Sequence, residues 1–163
     1  MIKYIFDVDG VLCDTSQRID EEFSKYFQAW AQDKEYYLVT GSYKEKTIDQ
    51  IGQEIVDKQH IGFHCLGNAI YPPGGNEVLI NDFEFTEDEI EHFYNFWTES
   101  KYDQKPEFKT VLEKRQGSYN FSLATRSGDR KLRSHYIKHD ELYKERENLI
   151  IQLNDNHPRL EAY

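Results

Sequence analysis

An apolar run that ends in two closely spaced carboxylates constrains this chain more than any other feature. The N-terminal residues up to Phe6 are mostly apolar and are followed at once by Asp7-Val8-Asp9-Gly10. The pattern predicts a strand that ends in a sharp turn, which glycine permits. One carboxylate can attack phosphorus, the other can transfer a proton, and both suit Mg²⁺. The motif therefore indicates a phosphoryl-transfer site or, because Asp-Gly is also common in ordinary loops, a structural turn.

Composition and charge limit the classes of partner. The chain has 163 residues and a formal net charge of −10, which argues against nucleic acid or an anionic membrane as the main partner. It contains no apolar run of about 18 residues, the length of a membrane span, and its N-terminus lacks the layout of a signal peptide. Cys13 and Cys65 are too few for a disulfide framework. We expect a cytoplasmic protein in which arginine, lysine or a metal must hold any anionic substrate.

The first half of the chain alternates strand and helix patterns. Strands are predicted at 2–6, 36–39 and 61–66, with a helix at 16–32 and another that begins with a capping box of Ser42 and Glu45. Strands separated by helices predict parallel pairing in an α/β layered core. Such sheets bind ligands at the carboxyl ends of their strands. Asp7 and Thr40 both follow such ends, so we expect them to face one site.

The second half reads as a small α+β module. Pro72-Pro73-Gly74-Gly75 predicts a hairpin turn between strands at 69–71 and 78–80. A capping box of Thr86 and Glu89 begins a helix, strands are predicted at 109–115 and 119–125, and a helix at 140–154 is followed by a possible strand from Arg159. The six histidines show no metal-ligand spacing and are expected to be surface or core residues: His60, His64, His92, His135, His139 and His157.

Several segments together resemble the eukaryotic-type phosphomannomutases, which are haloacid dehalogenase superfamily enzymes with a C2-type α+β cap. The spacing of these segments requires almost no gaps from residue 6 to about 146. They are Phe6-Asp7-Val8-Asp9-Gly10-Val11-Leu12, Val39-Thr40-Gly41-Ser42, Gly67-Asn68-Ala69-Ile70-Tyr71, 115–122, 125–127 and 138–146. The resemblance implies a partial Rossmann-like α/β dehalogenase core over 1–81 and an inserted α+β cap over 82–163.

The resemblance also implies roles for individual residues. Asp7 corresponds to the nucleophile and Asp9 to the general acid/base, and both correspond to Mg²⁺ ligands. The segment Thr40-Gly41-Ser42 corresponds to the motif that binds the phosphoryl oxygens. The implied substrate is a phosphorylated hexose, a mannose or glucose phosphate, held by Arg18, Arg115, Asn120 and Arg126. Without the resemblance, Arg115 and Arg126 read as ordinary exposed strand residues.

The chain departs from the family in three places. Gln17 and Phe108 stand where the family has arginines, although Arg18 and Lys109 are adjacent. The family's third-motif lysine and fourth-motif acidic cluster lie beyond Tyr163, so we expect a truncated copy, one half of a split protein or a remnant, inactive alone. A homodimer through the cap, or pairing with a missing C-terminal half, is a further expectation.

Three functions follow as alternatives. The first is a phosphosugar mutase that interconverts hexose 1- and 6-phosphates through an aspartyl-phosphate. The second is a Mg²⁺-dependent sugar-phosphate phosphatase, in which water resolves that intermediate. The third is a non-catalytic protein that binds sugar phosphate or serves as an assembly partner.

Overall fold

A computed structural model describes residues 2–73, 78–79, 81–124 and 130–162 of the chain. The chain divides into two compact units. The first consists of Met1–Glu84 and Lys114–Tyr119, and the second of Phe85–Glu113 and Asn120–Tyr163.

The first unit is built on a five-stranded sheet. Its strands are β1 (Lys3–Asp7), β2 (Glu35–Val39), β3 (Ile61–His64), β4 (Ala69–Tyr71) and β5 (Val78–Leu79), and their spatial order follows the chain order. The first three strands pair in parallel, whereas β4 and β5 are antiparallel additions. The predicted α/β layout and the predicted pairing of 69–71 with the strand after it are confirmed; residues 74–77 and 80 of that hairpin lie outside the described residues.

In the part of the first unit that the structure describes, three α-helices accompany the sheet: α1 (Glu21–Trp30), α2 (Lys44–Ile51) and α3 (Gln53–Lys58). The prediction that the first helix begins at residue 16 is wrong, because Ser16 has a φ of 58° and Asp20 caps the helix by accepting from two backbone N–H groups. The capping box of Ser42 and Glu45 is also wrong, since α2 begins after Tyr43 and has no side-chain cap.

One apolar core fills the space between the sheet and these helices. Val8, Leu38 and Ile51 are each at most 1% exposed, and Phe6 and Phe27 pack edge to face at 5.3 Å between ring centroids. The other buried members are Leu12, Cys13, Ala31, Tyr36, Ile55 and Val56. Because Val8 belongs to this core, the core anchors the turn that carries the two carboxylates.

The second unit contains α4 (Glu87–Glu99), α5 (Phe108–Val111), α6 (Arg130–Tyr143) and α7 (Glu145–Asn156). The predicted capping box at the start of α4 is confirmed: Glu89 N–H donates to Thr86 Oγ1 at 3.3 Å and Thr86 N–H to Glu89 Oε2 at 2.7 Å. Two apolar clusters form its core, one around Tyr102, Val111, Leu123 and Tyr136 and one around Phe93, Leu149 and Leu153.

Three predictions in this half need correction. The strand predicted from residue 109 begins only at Leu112, because α5 occupies the residues before it; β6 (Leu112–Arg115) then pairs with β7 (Ser118–Phe121). The single helix predicted at 140–154 is two helices, α6 and α7, separated at Lys144, whose φ is 54°. The described residues 159–162 form no strand, and Arg159 pairs there with Glu89. None of the helices in the described ranges combines the length and apolarity needed to cross a bilayer.

Candidate functional site

The two carboxylates follow β1 on a turn with a buried anchor. Asp7 is exposed, is the last residue of β1 and pairs in register with Val39 of β2. Val8, between the two carboxylates, is fully buried, and its carbonyl accepts hydrogen bonds from Leu12 and Cys13 N–H. Gly10 has a φ of 83°, which suits glycine and allows the chain to turn. The predicted sharp turn after the strand is confirmed.

A network of donors holds the Asp9 carboxylate. Oδ1 of Asp9 accepts hydrogen bonds from the backbone N–H of Ser16 and from Nε2 of Gln50, both at 2.8 Å. Its Oδ2 lies 4.0 Å from the Lys46 ammonium. Gln50 is only 5% exposed. Asp9 therefore has a fixed orientation, whereas the only hydrogen bond that Asp7 accepts within the described chain comes from Val8 N–H, at 2.6 Å.

Sequence reasoning missed Gln50. It lies between Ile48 and Ile51 of α2, and a polar residue there reads as an ordinary side chain of an amphipathic helix. The signal that could have found it is its position on α2, since that helix follows the strand next to β1. Only the fold shows that it reaches Asp9, 41 residues earlier in the chain.

We expect Gln50 and Asp9 to be energetically coupled. Gln50→Leu should lower the free energy of unfolding by about 1–2 kcal/mol, because a hydrogen bond to a charged group is lost. In the Asp9→Asn background the same change should cost less, giving a coupling energy of about 1 kcal/mol in a double-mutant cycle. Urea unfolding of the four proteins measures this. Additive effects of the two substitutions would show that the bond contributes nothing.

The loop Thr40-Gly41-Ser42 follows the adjacent parallel strand, β2. Thr40 and Ser42 are each 3% exposed. Oγ1 of Thr40 accepts from Ser42 N–H at 3.1 Å, while the carbonyls of Thr40 and Ser42 accept from Leu66 and Cys65 N–H, each at 3.1 Å. Because parallel neighbours end at one edge of the sheet, this loop and Asp7 lie at the same edge, as the sequence predicted.

Arg115 lies against this loop. Its Nη1 donates to the Gly41 carbonyl at 2.7 Å, and residues 114–119 group with the first unit. Arg115 also lines a cavity of about 350 Å³ together with Lys44, His64 and Tyr71. Neither Asp7 nor Asp9 lines that cavity. The structure thus brings one predicted substrate-binding arginine to the predicted phosphate-binding loop.

The other predicted substrate-binding residues are placed differently. Arg18 is exposed on the loop before α1 and forms no ion pair within the described parts of the chain. Asn120 lies in β7 and belongs to the second unit. Arg126 lies outside the described residues.

Burial shifts the pKa of His64 and that of Cys13, both in the first unit. His64 is fully buried, and this burial lowers its pKa to about 4. Its Nδ1 lies 3.4 Å from Thr47 Oγ1, and its Nε2 has no hydrogen-bond partner among the described residues. Burial, followed by the nearby Asp9 carboxylate, raises the pKa of the Cys13 thiol. Cys13 is therefore protonated at neutral pH and serves as a core residue.

Asp7 and Asp9 are the residues of this site that could hold a metal. Both offer carboxylate oxygens, the ligands that Mg²⁺ prefers. Over residues 2–73, 78–79, 81–124 and 130–162, no group of three or more histidine, cysteine or acidic side chains is arranged to hold a metal ion. Asp7 and Asp9 are thus the two carboxylates that the described turn after β1 offers to such an ion.

Comparisons with known proteins found relatives that share the name phosphomannomutase. The chain is 25% identical over 155 residues to the phosphomannomutase of Spinacia oleracea, covering 93% of this chain and 62% of that protein. It is 28% identical over 156 residues to phosphomannomutase 1 of Mus musculus, covering 91% of this chain and 59% of that protein. The chain thus spans about three fifths of the length of these curated relatives. No family model matches the sequence.

One solved structure shares the fold of this chain. The C-terminal domain of trehalose-6-phosphate phosphatase from C. albicans superposes with a TM-score of 0.62 at 14% identity, covering 96% of this chain and 50% of that chain. The predicted Rossmann-like α/β core of haloacid dehalogenase type is thereby confirmed. The chain is thus similar in sequence to proteins named phosphomannomutase and similar in fold to a trehalose-6-phosphate phosphatase domain.

Proposed function

We propose that this chain carries the nucleophile of a phosphosugar phosphotransferase that works through an aspartyl-phosphate on Asp7. One observation carries the proposal: Asp7 ends β1 beside the loop after β2, and Asp9 follows on the same turn with its carboxylate held by Ser16 and Gln50. In an ordinary exposed turn, water solvates the aspartate, and no buried glutamine is needed to orient its carboxylate. The hydrogen bond from Gln50 to Asp9 therefore favours a functional site over a structural turn.

The arrangement suits two consecutive transfers. A carboxylate oxygen of Asp7 forms a bond to phosphorus while the bond from phosphorus to the sugar oxygen breaks. Asp9, as a carboxylic acid, gives that oxygen its proton. The resulting Asp9 carboxylate then takes a proton from the acceptor hydroxyl, which attacks phosphorus and releases Asp7.

The remaining residues would bind and neutralise the anion. The N–H groups of Thr40 and Ser42 already donate within the fold, to the Phe63 carbonyl and to Thr40 Oγ1. The hydroxyls of Thr40 and Ser42 and the Gly41 N–H would therefore bind the phosphoryl oxygens, and the guanidinium fork of Arg115 matches phosphate geometry. Asp7 and Asp9 fit Mg²⁺ as oxygen ligands, since this ion is commonly held by one or two carboxylates together with substrate phosphate and water. When bound, Mg²⁺ would neutralise charge on the transferring phosphoryl group.

Sequence similarity supports a phosphosugar as the substrate. Proteins named phosphomannomutase match more than nine tenths of this chain, which favours a phosphorylated hexose as ligand and the 1- and 6-positions as donor and acceptor. Arg18, Asn120 and Arg126 are assigned to substrate binding on the same basis. The second unit would then act as the cap that selects the sugar, and a homodimer through this cap remains part of the proposal.

A phosphatase is the second candidate. Phe108 stands where the family has an arginine, and its ring packs 5.2 Å from Tyr94 and 6.0 Å from Trp97 between centroids. Because a phenyl ring offers phosphate neither a hydrogen-bond donor nor a positive charge, Phe108 cannot replace this arginine as a ligand of the sugar phosphate. If the protein retains the sugar too weakly for a second transfer, water becomes the acceptor and the reaction is hydrolysis.

Trapping the phosphoryl group tests the proposal. We expect beryllium fluoride with Mg²⁺ to form one adduct with the wild-type protein, detected by ¹⁹F NMR. Asp7→Asn should abolish this adduct and Asp49→Asn, on the exposed face of α2, should retain it. An adduct that persists in Asp7→Asn would remove Asp7 as the nucleophile. Mannose 1-phosphate with hexose 1,6-bisphosphate then distinguishes isomerisation from release of inorganic phosphate.

A further inference from the structure

Two histidines of the second unit face each other across a short gap. His92 lies in α4, and His157 directly follows α7. Nδ1 of His92 and Nε2 of His157 are 3.3 Å apart, and the ring planes cross at 81°. Both residues are partly exposed, so ions from solution can reach the pair. They are separated by 65 positions in the sequence, which explains why no local spacing signalled them.

The approach of the two nitrogens is bent. The ring centroids are 5.0 Å apart. Nitrogens that pointed straight at each other would separate the centroids by the 3.3 Å gap plus one ring radius on each side, which is more than the observed distance. A bent approach weakens an N–H···N hydrogen bond. Two imidazole nitrogens that bind one tetrahedral Zn²⁺ at about 2.0–2.1 Å are themselves separated by about 3.3–3.4 Å.

We propose that His92 and His157 together bind one divalent transition-metal cation, Zn²⁺ being the most available, with water completing its coordination. Imidazole is a preferred ligand of Zn²⁺, Cu²⁺ and Ni²⁺ and a poor one for Mg²⁺. Because the described chain has no third histidine, cysteine or carboxylate grouped with the pair, the site is open and the cation exchanges with solution.

Binding would join two helices that are distant in sequence. The cation would connect α4 to the residue that directly follows α7, near the ion pair formed by Glu89 and Arg159. Because the unfolded chain does not hold the two imidazoles together, the cation would stabilise the folded second unit by mass action. The site is independent of phosphoryl transfer on Asp7.

Zinc titration of the untagged protein tests the site. We expect isothermal titration calorimetry to show Zn²⁺ binding that His92→Gln and His157→Gln each weaken at least tenfold. His135→Gln, an exposed histidine of α6 in the same unit, should leave the affinity unchanged. Zn²⁺ bound at Asp7 and Asp9 contributes equally to all four proteins and cancels in the comparison.

A second measurement does not depend on the folding of the variants. Added to the wild-type protein, paramagnetic Ni²⁺ should broaden the imidazole signals of His92 and His157 before those of His60 and His135. Uniform broadening of all histidines would overturn the proposal. Equal Zn²⁺ affinity of the wild type and the two His→Gln variants, or no binding by the wild type, would overturn it as well.

Discussion

Acidification from pH 7 to pH 4 is expected to lower the free energy of unfolding by about 3 kcal/mol through His64 alone. Its folded-state pKa is about 4, whereas an unfolded histidine titrates near 6.5. Between these values the unfolded chain binds a proton that the folded chain does not. Stability therefore falls as the pH drops below about 6.5, and above neutral pH this group has no further effect.

Removing the imidazole isolates this contribution. In His64→Gln the amide can still bond to Thr47, but the group no longer titrates. The free energy of unfolding of both proteins is measured with urea at pH 7.5, 6, 5 and 4. Between pH 7.5 and pH 4, the decrease for His64→Gln should be about 3 kcal/mol smaller than the decrease for the wild type. His60→Gln, whose imidazole is exposed on the same unit, should follow the wild type. Parallel curves for the wild type and His64→Gln would contradict the prediction.

The sequence predicts the part of the site that depends on local pattern. The apolar run before Asp7 and the one before Thr40 are each long enough to identify a strand, and alternation with helices requires parallel pairing. Together these signals place the carboxylates and the second loop at one edge of the sheet, as the structure shows. The capping box of Thr86 and Glu89 is equally local and was found for the same reason.

The failures occur where tertiary contacts decide. Gln50 reaches Asp9 only because α2 packs beside the turn after β1, and no pattern around residue 50 records this. Lys144 adopts a left-handed conformation that divides α6 from α7, although lysine carries no turn signal. Likewise, α5 occupies a segment that reads as a strand by its apolar residues, because Phe108 packs into an aromatic cluster.

The role of Asp9 predicts a loss of rate that depends on the leaving group. Asp9→Asn should slow phosphoryl transfer from a hexose phosphate to Asp7 by about 10²–10⁴-fold, the usual contribution of a general acid. Transfer from acetyl phosphate should be little affected, because acetate leaves without a proton. The asparagine keeps an oxygen that can accept from Ser16 and Gln50, so the turn should remain folded. Rapid quenching in acid, followed by measurement of the phosphate bound to the precipitated protein, gives the rate of transfer from either donor.

Two controls separate proton transfer from the other possible role of this carboxylate. Asp7→Asn should abolish transfer from both donors, and Asp49→Asn should leave both unchanged. If Asp9 acts mainly by holding Mg²⁺, its replacement removes charge that both donors require, and the two rates should fall by the same factor. An equal fall would therefore contradict the general-acid role while leaving Asp7 as the nucleophile. A selective fall with the hexose phosphate assigns to Asp9 the proton that its fixed orientation suits it to deliver.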